Sequence, residues 1–127
     1  MWDPPDDLDP EIRNLVIAMN RLPGIETTNS CSGHGKANVH VWFEVPDRNL
    51  HGRGLITLAR LTCNRYYANP FTISISHGDI NPVGFLLEGP VGAFKEAEKL
   101  ADDIMAHVEN RTKGYNILFG DPWWENR

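Results

Sequence analysis

Two hydrophobic rhythms alternate along the chain. Ile12, Leu15, Val16, Met19 and Leu22 recur at three- and four-residue steps, which places them on one face of a helix. Asp9 stands at the helix N-cap position. Pro10 follows at the first helical position, where a missing N–H costs nothing. Pro23-Gly24 stops the helix. Ile25 to Thr28 reads as a short extended segment running into a loop from Asn29 to Lys36. Val39, Val41, Phe43 and Val45 then alternate with His40, Trp42 and Glu44, the two-residue period of a strand. After a turn at Pro46-Asp47-Arg48-Asn49, residues 53–66 read as a second helix with a buried stripe of Leu55, Leu58, Ala59, Thr62 and Tyr66. Phe71, Ile73 and Ile75 alternate with Thr72, Ser74 and Ser76 in a further strand. His77 to Pro82 turns the chain and residues 83–88 return as a strand. Phe94, Ala97, Ala101, Ile104 and Val108 mark a third helix, with Asn110 and Gly114 at its exit.

This order predicts an α+β domain with a possible αββ-αββ-α repeat and a four-stranded sheet carrying helices on one face. The two turns support the repeat: Gly33-His34-Gly35-Lys36-Ala37-Asn38 and Ser76-His77-Gly78-Asp79-Ile80-Asn81 share a His-Gly pair and an Asn three residues after the glycine. Each strand has one apolar and one polar side, so the sheet is mixed or antiparallel with a second, open face. Trp42, His40, Thr72 and Ser74 are placed on that face, with Thr27 as a further candidate. Residues 1–8 read as an irregular acidic arm. Tyr115 to Arg127 carries Ile117, Leu118, Phe119, Trp123 and Trp124, too apolar for a free tail, and is expected to pack on its own domain or on a second subunit.

Length and charge narrow the function. A chain of 127 residues fits one domain. Its 12 Lys and Arg against 17 Asp and Glu leave a net charge of −5, which disfavours a nucleic-acid polymer as partner. It does not disfavour one small anion in a local pocket. No apolar stretch approaches the ~20 residues of a membrane span, and no secretory signal opens the chain. A cytoplasmic location is expected, and Cys31 and Cys63 are expected to stay unpaired.

The least generic stretch is Ser30-Cys31-Ser32-Gly33-His34-Gly35-Lys36. Gly33 and Gly35 permit positive φ, so successive backbone N–H groups can point into one concavity and hold an anion. Ser30 and Ser32 add hydroxyls and Lys36 adds a positive charge. The spacing is not that of a nucleotide P-loop. Cys31 is a weaker candidate nucleophile, activated by His34 or Lys36. Cys31 and His34 also make half a zinc site, for which His40, His77 or Asp79 would be the completing ligands. No second close pair supports zinc, so no metal ligand is assigned. No catalytic group is assigned either, because the carboxylates fall mostly on the arm and the third helix. Only Asp79 and Glu88 are placed near the sheet edge and loops.

From Asp9-Pro10-Glu11 through Leu22-Pro23-Gly24-Ile25 to Ser30-Cys31-Ser32-Gly33 the chain resembles the tRNA wybutosine-synthesising methyltransferase family. His34 stands where that family carries Arg. The resemblance implies a shared helix, strand and loop, and an S-adenosylmethionine-dependent activity. Leu22 to Ile25, Ser30 to Lys36 and Trp42-Phe43 are also similar to a group of small bacterial and phage proteins, which implies no particular activity. If the chain is phage-encoded, its location is the host cytoplasm. The expected function is non-enzymatic binding or sequestering of a small phosphate-bearing, nucleotide-like ligand, without cofactor, by a homo-oligomer. The expected ligand-binding residues are Ser30, Cys31, Ser32, Gly33, His34, Gly35 and Lys36 with His40, Trp42 and His77. Trp42 would stack a base, and His40 or His77 would hydrogen-bond the ligand. A reduced tRNA-modifying methyltransferase is the alternative. A protein–protein interaction module, using the open face and the Trp123-Trp124 tail, is the third reading.

Overall fold

A computed structural model describes residues 4–46, 52–62, 69–78 and 83–113. A 3-10 turn, Pro10–Ile12, leads into helix α1, Arg13–Met19. Strands β1, Glu26–Cys31, and β2, Val39–Glu44, follow. Helix α2 is Arg53–Leu61, strands β3 and β4 are Thr72–His77 and Val83–Gly89, and helix α3 is Phe94–Lys113. The order αββαββα agrees with the sequence pattern. The sheet runs β1-β2-β4-β3 and every pair is antiparallel. The second strand of each αββ unit is therefore central, and the loop between β1 and β2 lies at the end of the sheet opposite His77 and Val83.

The core forms where the apolar stripes meet. Ile12, Leu15, Val16 and Met19 from the first helical segment pack with Ala97, Leu100 and Ile104 of α3 and with Val39, Val41, Phe43 and Leu87 of the sheet. All of these are essentially inaccessible to water. The helices thus cover one sheet face.

Several expectations change. Strand β1 runs three residues further than the extended segment read from sequence, so Asn29, Ser30 and Cys31 pair with Trp42, Val41 and His40 instead of looping out. Ladder hydrogen bonds to β2 outweigh the poor strand propensity of Asn and Ser. A bulge between Thr27 and Asn29 changes the register, so Thr27 lies opposite Phe43. Its backbone N–H donates to Asn20 Oδ1 and its hydroxyl accepts from Asn20 Nδ2, at the C-terminal end of α1. Thr27 therefore belongs to the helix side, not the open face.

In α2 Leu58 is buried and Leu55 packs against the core as expected, and Thr62 just after the helix is buried, but Ala59 is exposed while Gly54 and Leu61 are buried, so the stripe is rotated slightly from the expected one. Close approach to the Pro23 carbonyl, which accepts from the Gly54 N–H at 3.0 Å, fixes that rotation. Ile75 is 77% exposed and lies beyond the core that its neighbours Ile73 and Phe71 reach. In the acidic arm Pro5, Asp6 and Asp7 are exposed, while Leu8 packs against the core. Tyr66, Cys63, the turns at 47–50 and 79–82, and the aromatic tail from Tyr115 lie outside the described residues. No helix among the described residues is long and apolar enough to cross a membrane.

Candidate functional site

The loop between β1 and β2 winds in the left-handed region. Gly33, His34 and Gly35 have φ of 75°, 53° and 75°, after a right-handed Ser32. Gly33 has no alternative, since a Cβ there would lie 2.7 Å from the Asn38 carbonyl oxygen. A right-handed residue followed by a left-handed one turns successive N–H groups inward, which is the concavity read from the sequence.

The protein fills that concavity itself. The Ser32 N–H donates to Asp9 Oδ2 at 2.7 Å, the Gly33 N–H to Cys31 Sγ at 3.3 Å, and the His34 N–H to Ser32 Oγ at 3.1 Å. Ser32 is fully buried. The internal anion is Asp9, which the sequence places as a helix cap. Its side chain makes no cap hydrogen bond and instead accepts from the Ser32 N–H. The hydrogen bond from the Ser32 backbone holds the Asp9 carboxyl below the usual carboxylate range, against burial; the Ser32 side chain and the nearby His34 add to it. His34 Nε2 stands 3.9 Å from Asp9 Oδ2. The Ser32 and Gly33 N–H groups are thus already committed, and a carboxylate already faces the loop.

His34 is the only non-glycine residue with positive φ among those described. A left-handed side-chain residue costs roughly 1–2 kcal/mol, partly offset when glycine replaces it because the unfolded chain gains freedom. His34→Gly is therefore expected to keep or slightly raise stability in urea unfolding, by about 0.5 kcal/mol. His34→Val, β-branched, is expected to lower it by about 1–2 kcal/mol. Equal losses for both would contradict the loop geometry.

The open sheet face presents two rows across the strands. Register aligns Cys31, His40, Glu88 and Thr72 in one row, and Asn29, Trp42, Leu86 and Ser74 in the next. The His40 and Trp42 rings stack, with centroids 5.1 Å apart and planes 16° apart. His40 Nε2 lies 2.7 Å from Glu88 Oε2, which also accepts from Asn38 Nδ2 at 3.2 Å. Glu88 thus anchors the aromatic pair to the loop end of the sheet.

The structure gathers Cys31, Gly33, His34, Gly35, Lys36, His40 and Trp42 at that end. It separates three others. Ser30 lies in register with buried Val41, on the face opposite His40. Ser32 is consumed internally. His77 pairs with Val83 on the outer strand, six residues along β4 from Gly89, or about 20 Å from the loop end. It takes no part in this site. Asp79 lies outside the described residues. Sequence reasoning missed Asp9 and the anchoring roles of Glu88 and Asn38. The shared turn pattern supplied no signal for Asp9, and the sequence placed Glu88 only near the sheet edge and loops; the pairing of β2 with β4 sets it beside His40.

A cleft of about 280 Å³ opens between the arm, α1 and β1, lined by Asp7, Leu8, Val16 and Thr27–Ser30. Of the expected site residues it contains only Ser30. No protein-family model, curated protein or solved structure matches this chain.

Proposed function

We propose that the protein binds a small nucleotide-like ligand on the open sheet face at its loop end. The observation that carries this reading is the stacked His40–Trp42 pair, held by Glu88. An indole on a sheet face offers a flat surface that any nucleobase can stack upon. Thr72 and Asn29 flank the pair as neutral hydrogen-bonding groups. Lys36, exposed in the adjoining loop, is the cation available to a phosphate. The Ser32 and Gly33 N–H groups contribute by shaping the loop, not by holding that phosphate, because Asp9 and Cys31 occupy them. The acidic neighbour Glu88 makes a long nucleic-acid backbone a poor fit and suits one compact ligand.

Calorimetric titration against a panel of nucleoside mono-, di- and triphosphates and S-adenosylmethionine tests the reading. Base–aromatic stacking contributes about 1–3 kcal/mol. Trp42→Ala is expected to weaken binding of the best nucleotide by roughly 5–150-fold, and Lys36→Ala to weaken phosphate-bearing members more than the free nucleoside. Absence of binding across the panel, or affinity unchanged in the Trp42→Ala, Lys36→Ala double variant, overturns the proposal. Binding of S-adenosylmethionine alone favours the methyltransferase alternative.

A further inference from the structure

We propose that Asp9, Cys31 and His34 form a binding site for a divalent transition metal, with zinc the best-fitting ion. A carboxylate oxygen, the Cys31 sulfur and an imidazole nitrogen lie within 4.8 Å of one another. They come from three separate places: the chain before the first helical turn, the end of β1, and the left-handed loop. The sequence offers Cys31 and His34 at a Cys-x-x-His spacing, with His40, His77 or Asp79 as the expected completing ligands; the third group within reach is instead Asp9. The fold brings in Asp9, which lies 23 positions before Ser32.

Donor chemistry selects the ion. One sulfur, one imidazole nitrogen and one carboxylate oxygen form a borderline set that suits Zn²⁺ better than Ca²⁺ or Mg²⁺, which prefer all-oxygen shells. Zinc bonds of about 2.0–2.3 Å in tetrahedral geometry imply donor–donor separations of about 3.3–3.8 Å. His34 Nε2 and Asp9 Oδ2 are already 3.9 Å apart, and the His34 side chain is 68% exposed and can close the remainder. A thiolate and a carboxylate together balance the charge of a divalent ion. The surrounding backbone also suits a bound metal. The Gly33 N–H donates to Cys31 Sγ and the Ser32 N–H to Asp9 Oδ2, so backbone hydrogen bonds help fix both donor atoms. Three protein ligands leave a fourth position for water or a ligand atom, the arrangement of metal sites that take part in binding or chemistry.

The inference stands apart from the nucleotide reading, and its test uses metal alone. The full chain, stripped with chelator, is titrated with Co²⁺ while thiolate-to-cobalt charge-transfer absorption is followed. Zn²⁺ uptake is measured by equilibrium dialysis. One ion per chain and a charge-transfer band are expected. Cys31→Ala is expected to abolish the band, and Cys63→Ser to leave it intact. Asp9→Asn and His34→Gly are expected to weaken uptake by more than the roughly 10–100-fold that loss of an outer-shell partner costs. His34→Gly serves as the variant whose fold is preserved, checked by circular dichroism. No uptake by the unmodified chain overturns the proposal, since the three groups are then only a hydrogen-bonded ion pair beside a thiol. Uptake unchanged in both Cys31→Ala and His34→Gly overturns it equally.

Discussion

Phe71→Ala is expected to cost about 3–5 kcal/mol of stability, the typical range for removing a fully buried phenyl group. Phe71 is 1% exposed and enters the sheet region beside β3. Its backbone N–H donates to Asn69 Oδ1, and Asn69 Nδ2 donates to the Leu61 carbonyl at the end of α2. The ring lies over Gly89, where a Cβ would sit 2.6 Å from Phe71 Cε1. Glycine at 89 therefore makes room for the ring. Since small domains are stable by only about 5–15 kcal/mol, the loss is a large share of the whole. Urea unfolding reads it directly. The pairing gives a sharper check. Gly89→Ala is expected to destabilise the unmodified chain but to cost much less in the Phe71→Ala background, because the clash has gone. Additive losses would show that the ring does not rest on Gly89.

Gly54→Ala is the second large effect, and its sign is informative. Helix propensity alone favours alanine over glycine, by up to about 1 kcal/mol in a helix interior and by less in the first turn, where Gly54 stands. Here the added Cβ would lie 2.4 Å from the Pro23 carbonyl oxygen and 3.1 Å from both Ile25 Cγ1 and Leu22 Cβ. The nearest atom is backbone, so relief requires α2 to move away and to lose the Gly54 N–H bond to Pro23. Overpacking of this kind costs about 1–3 kcal/mol, and a lost buried hydrogen bond about 1 more. The net expectation is a loss of about 1–3 kcal/mol at the unfolding midpoint. A stabilised Gly54→Ala protein would mean that α2 is not seated against the Pro23 turn.

The same two contacts show where sequence reasoning reaches and where it stops. Periodicity located Ile12, Leu15, Val16, Met19 and Leu22, and the structure buries all five. Alternation likewise placed Val39, Val41 and Phe43 inward, with His40 and Trp42 outward. These patterns are legible because one element imposes them on its own residues. The rotation of α2 is set by Pro23, far along the chain, so the stripe through Ala59 was misplaced. Strand β1 was read short because Asn29 and Ser30 have weak strand propensity, and only the ladder to β2 makes them extended. The bulge that turns Thr27 toward Asn20 has no composition signal at all.

The candidate site divides in the same way. Gly33 and Gly35 announced a left-handed loop, and both adopt positive φ. Which acceptor fills the loop depends on Asp9, whose local context reads equally well as a helix cap. A tertiary hydrogen bond from Ser32 decides between the two. His77 shows how pairing separates residues whose local sequences look alike. Its turn resembles the first one in sequence, but antiparallel pairing of β2 with β4 sets His77 and Val83 at the end of the sheet opposite Val39 and Gly89.

The proposed place for a compact nucleotide-like ligand is the sheet face carrying His40 and Trp42. An amide NMR titration with the tightest nucleotide of the calorimetric panel tests it most directly, because it reports where the ligand lands. The largest shift changes are expected at Cys31, Lys36, His40, Trp42, Glu88 and Thr72, and at the Trp42 indole N–H. Residues lining the cleft at Thr27–Ser30 other than Asn29, and the distant His77, are expected to move little. Changes centred on that cleft or on the helix face, or no changes with any member of the panel, would contradict the account.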